Sequence, residues 1–358
     1  MAEQESKYLT IISWIEQKIK SGELNPGDKI LSENELSAMF GVSRQTARHA
    51  ITELVEKGTL ERIHGSGTYV KKTKTVKRTK KLNNIGVVCT LSESYIAPPT
   101  LKGIESTLFN NGYSMQMFFT DNKISREREI LESILEKDVI DGLIFETTTS
   151  ALPSPNLLLY RKIQSLGIPL ICYNAFYPGL EVPCVRINDR LVAFRAVKEL
   201  VSRGHTKIAG IFKSDDNQGH LRYKGYIDAL IESGIEVDLN RISWFDTPML
   251  YNIYNSEEFI FKRIGDSTAV VCFNDQIAYA LIDLALKRGI RIPEELSVTG
   301  VDDSYLAGIS SVKITSFSHP KEVLGIKVAE NMVRLLDDPD FDGNYLYDSE
   351  IILRESVR

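Results

Sequence analysis

The sequence predicts an α/β chain with a small helical head that ends in a β-hairpin, and a larger body whose parallel sheets form two Rossmann-like lobes. Residues 32–70 contain helix caps, a glycine stop and a glycine-marked hairpin in close succession. From residue 85 onward, short apolar runs alternate with helix-length segments, which is the pattern of βαβ units. Residues 1–84 carry 15 Lys and Arg against 10 Asp and Glu, although the 358-residue chain has a net charge of −5. A basic head on an acidic body fits nucleic-acid contact at one end only.

The first helix of the head is predicted from a capping box. Ser32 precedes an apolar-periodic stretch and Glu35 lies three residues further on, so each side chain can accept from a backbone N–H that the helix start leaves unpaired. Gly41 ends this helix because glycine adopts the left-handed conformation at low cost. The apolar side chains of the stretch share one helical face: Leu36, Met39 and Phe40.

The second helix combines an apolar stripe with a polar surface, and Ser43 can cap its start. The stripe has spacings of three and four and is formed by Ala47, Ile51, Leu54 and Val55. The other surfaces carry Arg44, Gln45, Thr46, Arg48 and His49. Because Arg and Gln side chains pair bidentately with guanine and adenine edges, this helix is predicted to enter the major groove of DNA.

A hairpin follows the second helix and is predicted to form a wing. Gly58 ends the helix, and residues 60–70 form two short strands around the tip Gly65-Ser66-Gly67. Such a tip can approach a phosphate backbone or a minor groove. Helix-turn-helix shapes also occur in domains that do not touch DNA, and a basic helix face can simply be solvated. The succession of cap, stop, cap, basic face and wing favours DNA binding.

Residues 7–70 resemble the winged helix-turn-helix of the GntR family of bacterial regulators. The resemblance rests on the segments PGDKILSENELSAMFGVSRQTARHAI and GTLERIHGSGTYV. Leu31 and Asn34 depart from the proline and the arginine that the family commonly has at these positions. Family members bind DNA through the start of the second helix and the tip of the wing. For this chain the resemblance and the chemistry of those two elements imply DNA contacts from Lys7, Glu33, Ser43, Arg44, Gln45, Thr46, Arg48, His64, Gly65 and Ser66.

Several classes of protein are disfavoured by what the sequence lacks. The four cysteines are far apart and form no C-x-x-C, so neither a zinc site nor a disulfide framework is expected. The first residues show no secretion signal, and no apolar run has membrane-spanning length. No common catalytic, P-loop or dinucleotide-binding motif opens a helix. We therefore expect a cytoplasmic protein without membrane contact that is not an enzyme and has no cofactor apart from a small-molecule effector.

A basic segment separates the head from the body. In residues 71–81, seven of eleven residues are Lys or Arg and none is acidic, which favours a solvated, self-repelling tether. Non-specific contacts of this segment with DNA phosphates are compatible with that role. The predicted domains are a winged helix-turn-helix domain in residues 1–72, a linker in 73–84 and a two-lobed effector-binding domain in 85–358.

The body presents polar side chains where its predicted strands end. The strand segments begin near residues 85, 114, 142, 168, 207, 268 and 296. In parallel sheets of this kind, ligands bind outside the carboxyl ends of the strands. Carboxylates, amides and basic groups together can donate to and accept from the hydroxyls of a neutral polyol. Such groups follow the strands at Tyr95, Glu146, Asn174, Asn188, Asp189, Lys213, Asn274, Asp275, Asp302 and Asp303.

The body resembles the effector domain of LacI/GalR-type repressors and periplasmic sugar-binding proteins. The resemblance rests on segments such as NDRLVAFRAVKELVSRGHTKIAGI and FNDQIAYALIDLALKRGIRIPEELSVTGVDDS. It implies that Arg222 and Asp275 hold sugar hydroxyls. It further implies that the same cleft is lined by Tyr95, Glu146, Asn174, Asp189, Lys213 and His319. Two alternatives remain open at this stage, since Asn274 can serve only as a helix cap, and Asp302 and Asp303 can serve only as turn or cap residues.

The combination of a GntR-type head with a LacI/GalR-type body resembles the arabinose-responsive repressors of bacteria. That resemblance implies a homodimeric, sequence-specific repressor of sugar-utilisation genes that binds double-stranded operator DNA. It also implies that a monosaccharide inducer, L-arabinose, binds between the two lobes and releases the protein from the operator. The alternatives are a regulator of the same architecture for another sugar, and a non-regulatory cytoplasmic sugar-binding protein.

Overall fold

The computed structural model of the chain describes residues 2–20, 23–24, 27–63, 65–71, 81–90, 95–250 and 252–358, with side chains in the first helix from residue 8 to residue 19. The chain divides into two compact units, Met1–Val76 and Lys77–Arg358. Most of the segment predicted as a tether lies outside the described residues. Among the helices of the described part, none is long and apolar enough to cross a membrane.

The first unit contains three helices and a two-stranded antiparallel hairpin. These are α1 (Ala2–Lys20), α2 (Glu33–Phe40), α3 (Arg44–Glu56), β1 (Leu60–Ile63) and β2 (Gly67–Val70). The predicted capping box is present, because Ser32 accepts from the Glu35 backbone N–H while the Glu35 carboxylate accepts from the Ser32 N–H at 2.7 Å. Gly41 ends α2 in the left-handed conformation, with φ at 61°. The sequence-predicted limits of both helices are therefore confirmed.

The stripe predicted on α3 forms part of a small apolar core. Ala47, Ile51 and Leu54 are buried there against Ile11 and Ile15 of α1. The face predicted for α2 is only partly buried. Leu36 is fully buried, whereas Met39 is 56% exposed and Phe40 is half-buried with its ring against Trp14. Of the three apolar residues predicted to share a face of α2, only Leu36 is thus fully buried in the core, and the C-terminal end of the helix stays partly exposed.

The second unit has two lobes, each built on a parallel sheet. The lobe I sheet has the strand order β4 (Ser114–Phe119), β3 (Asn84–Cys89), β5 (Gly142–Glu146), β6 (Leu170–Tyr173), β7 (Cys184–Ile187) and β13 (Tyr345–Tyr347). Its helices are α4 (Ala97–Asn110), α5 (Ile124–Lys137), α6 (Leu157–Ser165) and α13 (Lys321–Asp337). The lobe II sheet has the order β11 (Ser297–Thr299), β10 (Ala269–Cys272), β8 (Ile208–Lys213) and β9 (Ile242–Phe245). Its helices are α7 (Asp189–Ser202), α8 (Asn217–Glu232), α9 (Thr247–Leu250), α10 (Glu257–Ile264), α11 (Asp275–Lys287) and α12 (Tyr305–Ile309).

Three chain segments connect the lobes. The chain enters lobe II between β7 and α7, returns through β12 (Ser316–Phe317) to α13, and passes from β13 to β14 (Ile351–Ile352). β12 and β14 pair in antiparallel fashion, so the second and third crossings are bonded to each other. Each lobe keeps its own apolar core, as expected for two Rossmann-like layers joined at one side. The carboxyl ends of both parallel sheets face the space between the lobes.

Candidate functional site

A single carboxylate organises the polar surface of the head. Glu33, at the start of α2, accepts from Arg48 Nε at 3.1 Å and Arg48 Nη2 at 3.0 Å, and from Arg44 Nε at 3.1 Å. Arg62, on β1, lies 3.6 Å from the other oxygen of the same carboxylate. The hydrogen bonds from Arg48 hold the pKa of Glu33 below its usual value. The three guanidinium groups are thus held near one another on the exposed side of α3 before any DNA is present.

The remaining predicted contacts of α3 are also at its exposed start. Ser43 caps the helix by accepting from the Thr46 backbone N–H at 3.1 Å, and the two hydroxyl oxygens lie 2.8 Å apart. Gln45 is exposed and follows Arg44 directly. This half of a recognition helix is where side chains reach base edges in the major groove.

The wing tip is exposed as well. Gly65 has φ at 75°, a conformation that favours glycine, and Ser66 forms a hydroxyl-to-hydroxyl hydrogen bond with Tyr69 at 2.6 Å. His64 lies outside the described residues, as does the side chain of Lys7. Their DNA contacts therefore rest on the sequence resemblance alone.

The second unit contains a partly open cavity of about 260 Å³ between its lobes. The lobe I wall is formed at the ends of β3, β5 and β6 and at the start of α4, and the lobe II wall at the ends of β8 and β10. Among the lining residues are five of the sequence-predicted ones: Tyr95, Glu146, Asn174, Lys213 and His319. The sequence interpretation did not pick out three other lining residues: Asp216, Gln218 and Gln276.

Glu146 and Asn174 form the polar floor of the lobe I wall. Glu146 Oε2 accepts from the Thr90 N–H at 2.9 Å and from the Thr90 hydroxyl at 2.5 Å, while Oε1 accepts from Asn174 Nδ2 at 2.8 Å. Asn174 is left-handed, with φ at 63°, directly after β6. This conformation and the bond to Glu146 fix its amide, and its Oδ1 is buried without a hydrogen-bond partner in the part of the chain that the structure describes.

Arg222 of α8 lies in a cage of acidic and aromatic groups. Its Nε donates to Asp189 Oδ1 at 2.9 Å, its Nη1 donates to the Phe273 carbonyl, and its guanidinium lies 4.5 Å from the centre of the Phe273 ring. Asp302 is 4.0 Å away on another side. Burial raises the pKa of Asp189 to about 6, although Arg222 opposes the shift. Both ion-pair partners are almost fully buried, so removing either leaves an uncompensated charge.

The two lobes share a hydrogen bond at the cavity. The hydroxyl of Tyr95, from lobe I, donates to Asp302 Oδ2 of lobe II at 2.5 Å. Asp302 has a positive φ of 105°, and its other carboxylate oxygen has no hydrogen-bond partner among the described residues. Its neighbour Asp303 instead pairs with Arg354 at 2.5 Å, so of these two residues Asp302 is the one in contact with the lining residue Tyr95, although Asp302 does not itself line the cavity.

Asp275 is placed differently from what its predicted role as a sugar ligand implies. It is fully buried and is not among the residues that line the cavity. One oxygen accepts from the Ser316 hydroxyl at 2.5 Å and the other from the Ser304 N–H at 2.6 Å. Burial raises its pKa to about 7, and the nearby charge of Asp302 acts in the same direction. In this arrangement Asp275 holds the turn that carries Asp302.

The neighbouring Asn274 has two roles. It caps α11 by accepting from the Ile277 N–H at 3.1 Å, as one sequence alternative proposed, and it also lines the cavity. The cap fixes the side chain in place beside Phe273. Asn274 therefore serves both as the cap of α11 and as a lining residue of the cavity.

The cations at the cavity are already neutralised. Lys213 Nζ lies 2.9 Å from Asp216 Oδ2 and 3.3 Å from Asp215 Oδ1. Arg222 is compensated by Asp189 and Asp302, as described above. Burial lowers the pKa of His319 to about 3, so its ring is neutral near pH 7. The described walls therefore offer neutral donors and acceptors, cations that are already paired, and the carboxylate of Glu146.

Several buried polar atoms beside the cavity have no hydrogen-bond partner within the described part of the chain. They are Asn174 Oδ1, Asp189 Oδ2, Asp302 Oδ1 and His319 Nδ1. Leaving such atoms unpaired costs about 1–3 kcal/mol each. A ligand rich in hydroxyl groups would pair those of the lining residues Asn174 and His319, because a hydroxyl both donates and accepts.

A DNA-reading head and an interlobe cavity together define a ligand-controlled transcriptional regulator. The family model described as bacterial regulatory proteins, gntR family, matches residues 7–70. The model described as a periplasmic binding protein-like domain matches residues 197–357. The fold class predicted from the sequence is confirmed by both matches.

Curated relatives identify the family. The chain is 38% identical to the arabinose metabolism transcriptional repressor of Halalkalibacterium halodurans, over 99% of this chain and 97% of that protein. It is 34% identical to the protein of the same name from Geobacillus stearothermophilus, over 98% of each. The chain belongs to the family of arabinose metabolism transcriptional repressors, and it is a DNA-binding repressor.

Solved structures show the same fold at lower identity. The regulator CcpA of Lactococcus lactis superposes with a TM-score of 0.68 at 23% identity, covering 77% of this chain and 99% of that one. The complex of the transcriptional regulator CelR with cellobiose superposes with a TM-score of 0.69 at 21% identity, covering 91% and 100%.

Proposed function

We propose that the interlobe cavity binds a neutral monosaccharide, that this sugar is L-arabinose, and that its binding releases the repressor from operator DNA. The observation that carries the proposal is a pair of buried polar atoms, Asn174 Oδ1 and His319 Nδ1, which have no hydrogen-bond partner among the described residues and belong to residues that line the interlobe cavity. A sugar supplies hydroxyls on several sides of a small ring, and so matches acceptors that converge from both lobes. The names of the curated relatives support arabinose over other sugars.

The charges favour an uncharged ligand. Lys213 is held by two aspartates and Arg222 by Asp189, so neither has a spare charge for a phosphate or carboxylate. Glu146, whose second oxygen already accepts from Thr90, adds a negative charge to the wall. A sugar phosphate would meet this excess of carboxylates, and a neutral sugar would not.

The size of the cavity favours a single sugar ring. Pockets for drug-sized ligands have volumes of roughly 300–1,000 Å³. The volume of about 260 Å³ lies just below that range. We infer that a pentose or hexose fits between the closed lobes and that a longer saccharide requires them to open.

The DNA-binding surface in this proposal is the exposed start of α3 together with the wing tip. Ser43, Arg44, Gln45, Thr46 and Arg48 are the groups of α3 that reach the major groove. Gly65 and Ser66 approach the backbone or minor groove beside it, with Lys7 and His64 added by the resemblance. Glu33 acts by holding the arginines in place.

Regulation completes the proposal. A homodimer presents two heads to operator half-sites about 34 Å apart, or a multiple of that spacing. The sugar favours a closed body whose dimer no longer presents the heads at that spacing. A protein that works on operator DNA acts in the cytoplasm, where the sequence also placed it.

Calorimetry with the full chain tests the ligand assignment. The panel contains L-arabinose, D-xylose, D-ribose, D-galactose, a nucleoside and a pentose phosphate. The proposal expects L-arabinose to bind most tightly and the phosphate not to bind. Tighter binding of the phosphate or the nucleoside, or no binding of any neutral sugar, would overturn it.

A further inference from the structure

The lobes also touch at the rim of the cleft that lies farthest from the connecting segments. β4 is the edge strand of the lobe I sheet, at the opposite end from β7 and β13, where the chain crosses between lobes. The turn after β4 carries Asn122. β9 is likewise an edge strand of lobe II, and the turn after it carries Thr247. Because these two turns lie far from the segments that connect the lobes, they move far apart when the cleft opens. Contacts between them therefore oppose opening.

The contact consists of directed hydrogen bonds. Asn122 Nδ2 donates to Thr247 Oγ1 at 2.7 Å and to Asp215 Oδ2 at 3.1 Å, both in lobe II. On its own side, Asn122 Oδ1 accepts from the Thr149 N–H at 2.8 Å and the Asn122 carbonyl accepts from the Thr149 hydroxyl at 3.0 Å. We call these four residues, Asn122, Thr149, Asp215 and Thr247, the rim latch.

A second contact lies beside the rim latch. Ser150, which follows Thr149 and is almost fully buried, accepts from the Asn217 N–H at the start of α8 at 2.9 Å. The loop after β5 is thus bonded both to the turn after β4 and to lobe II. None of these residues lines the cavity.

The backbone of the lobe I part of the latch is held in an uncommon conformation. Asp121, Asn122 and Thr149 have φ values of 51°, 52° and 47°, in the left-handed region that L-residues other than asparagine and aspartate seldom adopt. Such conformations persist where surrounding contacts hold them, and they cluster at ligand clamps and switch regions. The hydrogen bonds between Asn122 and Thr149 provide that support.

The latch is connected to the cavity through one carboxylate. Asp215 accepts from Asn122 and also from the Thr247 N–H at 2.9 Å, and its other oxygen lies 3.3 Å from Lys213 Nζ. Lys213 lines the cavity. Asp215 therefore takes part both in the contact between the lobes at the rim and in holding Lys213, which lines the cavity.

We propose that Asn122 is a positioning residue that stabilises the closed form of the body, and so sets how much sugar is needed to release the repressor. The inference rests on the proposed function only for the identity of the ligand, because closure itself is a property of the two lobes. A hydrogen bond contributes about 0.5–1.5 kcal/mol to the state that makes it. Loss of the latch bonds therefore weakens sugar binding about three- to tenfold by raising the population of the open form.

Two variants remove the latch from opposite sides. Asn122→Gly deletes the side chain and keeps the left-handed backbone accessible, and Thr247→Val removes the acceptor hydroxyl of lobe II with little change of shape. Asn111→Gly is the matched control, since Asn111 is exposed at the end of α4 and its side chain bonds only to the Thr107 carbonyl. The double variant should open no further than Asn122→Gly alone, because Asn122→Gly already removes the bond that Thr247→Val removes.

The primary readout is the distance between lobes in the full-length protein without sugar. Nitroxide labels are placed on exposed positions of α5 and α10 through Glu132→Cys and Lys262→Cys, since the four native cysteines are buried. Pulsed electron spin resonance then compares the distance distributions. The proposal expects longer distances in both latch variants and an unchanged distribution in Asn111→Gly. Coincident distributions for the parent and both latch variants would overturn it.

Calorimetry with L-arabinose is the second readout. Weaker sugar binding by Asn122→Gly and Thr247→Val, with operator affinity in the absence of sugar retained, supports the proposal. Unchanged sugar affinity in both variants contradicts it. If the parent protein binds no sugar from the panel, the ligand assignment fails, while the distance measurement still decides whether the latch holds the lobes closed.

Discussion

The hydroxyl of Tyr95 in lobe I lies 2.5 Å from Asp302 Oδ2 in lobe II, so one hydrogen bond joins the two walls of the cavity. Asp302 is buried, and its other oxygen has no hydrogen-bond partner. Burial raises the pKa of Asp302, which Arg222 and the Tyr95 hydrogen bond oppose. Tyr95 therefore supports both the closed arrangement of the lobes and the charged form of a site carboxylate.

Tyr95→Phe should weaken sugar binding about ten- to hundredfold, because a buried carboxylate that loses a donor costs about 1–3 kcal/mol or more. Calorimetry measures the dissociation constant, and operator binding without sugar serves as the check on folding. Tyr113→Phe, on the half-buried Tyr113 of lobe I, is the control and should change neither. Equal sugar affinity in Tyr95→Phe and the parent protein would show that this hydrogen bond does not contribute to sugar binding.

Glu33→Gln should tighten non-specific DNA binding about two- to fivefold at low salt, since exposed ion pairs are worth about 0.2–1 kcal/mol and Glu33 compensates three arginines. The slope of log affinity against log salt should steepen by about one, because a further cation becomes available for phosphates. Discrimination between operator and random DNA should fall at the same time. Fluorescence anisotropy over a salt series measures all three quantities.

The control for this charge change is Glu53→Gln, because Glu53 pairs with Lys57 at the far end of α3 and touches none of those arginines. It should leave the salt slope and the discrimination unaltered. If Glu33→Gln behaves like the control, Glu33 does not hold the arginines for DNA.

Asp275→Asn should gain stability relative to the parent protein as the pH rises from about 4 to about 7. The folded-state pKa of Asp275 is raised to about 7 from the ordinary 3.8, so the folded protein binds the proton more tightly than the unfolded chain does. The neutral Asp275 carboxyl therefore stabilises the folded protein at low pH, and this contribution is lost as the pH rises through the folded-state pKa. Over that range the free energy of unfolding of the parent protein falls by at most about 1.4 kcal/mol per pH unit. Asparagine stays neutral, and its Oδ1 can accept from the Ser304 N–H while its Nδ2 donates to the Ser316 hydroxyl oxygen, which reverses the direction of that bond.

Urea unfolding at several pH values measures this difference. Asp283→Asn is the control, because Asp283 lies on the same helix but is only half-buried and is paired with Lys287. A difference between Asp275→Asn and the parent protein that does not change with pH would contradict the assigned environment of Asp275.

The local part of the fold was predictable because its signals are local. The caps at Ser32 and Ser43 and the stop at Gly41 are decided by backbone groups within one helical turn, and each is found where the sequence predicts it. The strands predicted near residues 85 and 142 are buried parallel strands, whose continuous apolar runs are distinctive, and the strand predicted near residue 114 is a partly buried edge strand. These elements need no information from distant parts of the chain.

Strands that form through distant pairing were not predicted. β13 joins the lobe I sheet beside β7, although some 160 residues separate them in the sequence, and Tyr345 and Leu346 are exposed at that edge. A short, exposed edge strand has no apolar run or alternation to mark it. β9 similarly contains Ser243 and Trp244 between its buried ends and was not recognised.

The sequence identified the segments that form the site, but it did not determine which of their side chains point into the cavity. The sequence correctly indicated that polar groups after the strands converge, and Glu146, Asn174 and Lys213 do so. It assigned Asp275 to the ligand, whereas the helix start turns that side chain inward to Ser304 and Ser316. Gln218 and Gln276 lie on the first turns of α8 and α11, and only the packing of those helices brings them to the cavity.

Operator affinity with and without saturating L-arabinose tests the central claim most directly. The full-length protein is titrated onto labelled operator DNA by fluorescence anisotropy at fixed salt. The account predicts that the sugar weakens binding at least tenfold, which corresponds to about 1.4 kcal/mol of coupling between the cavity and the head. An operator affinity that stays the same while calorimetry shows the cavity to be filled would contradict it.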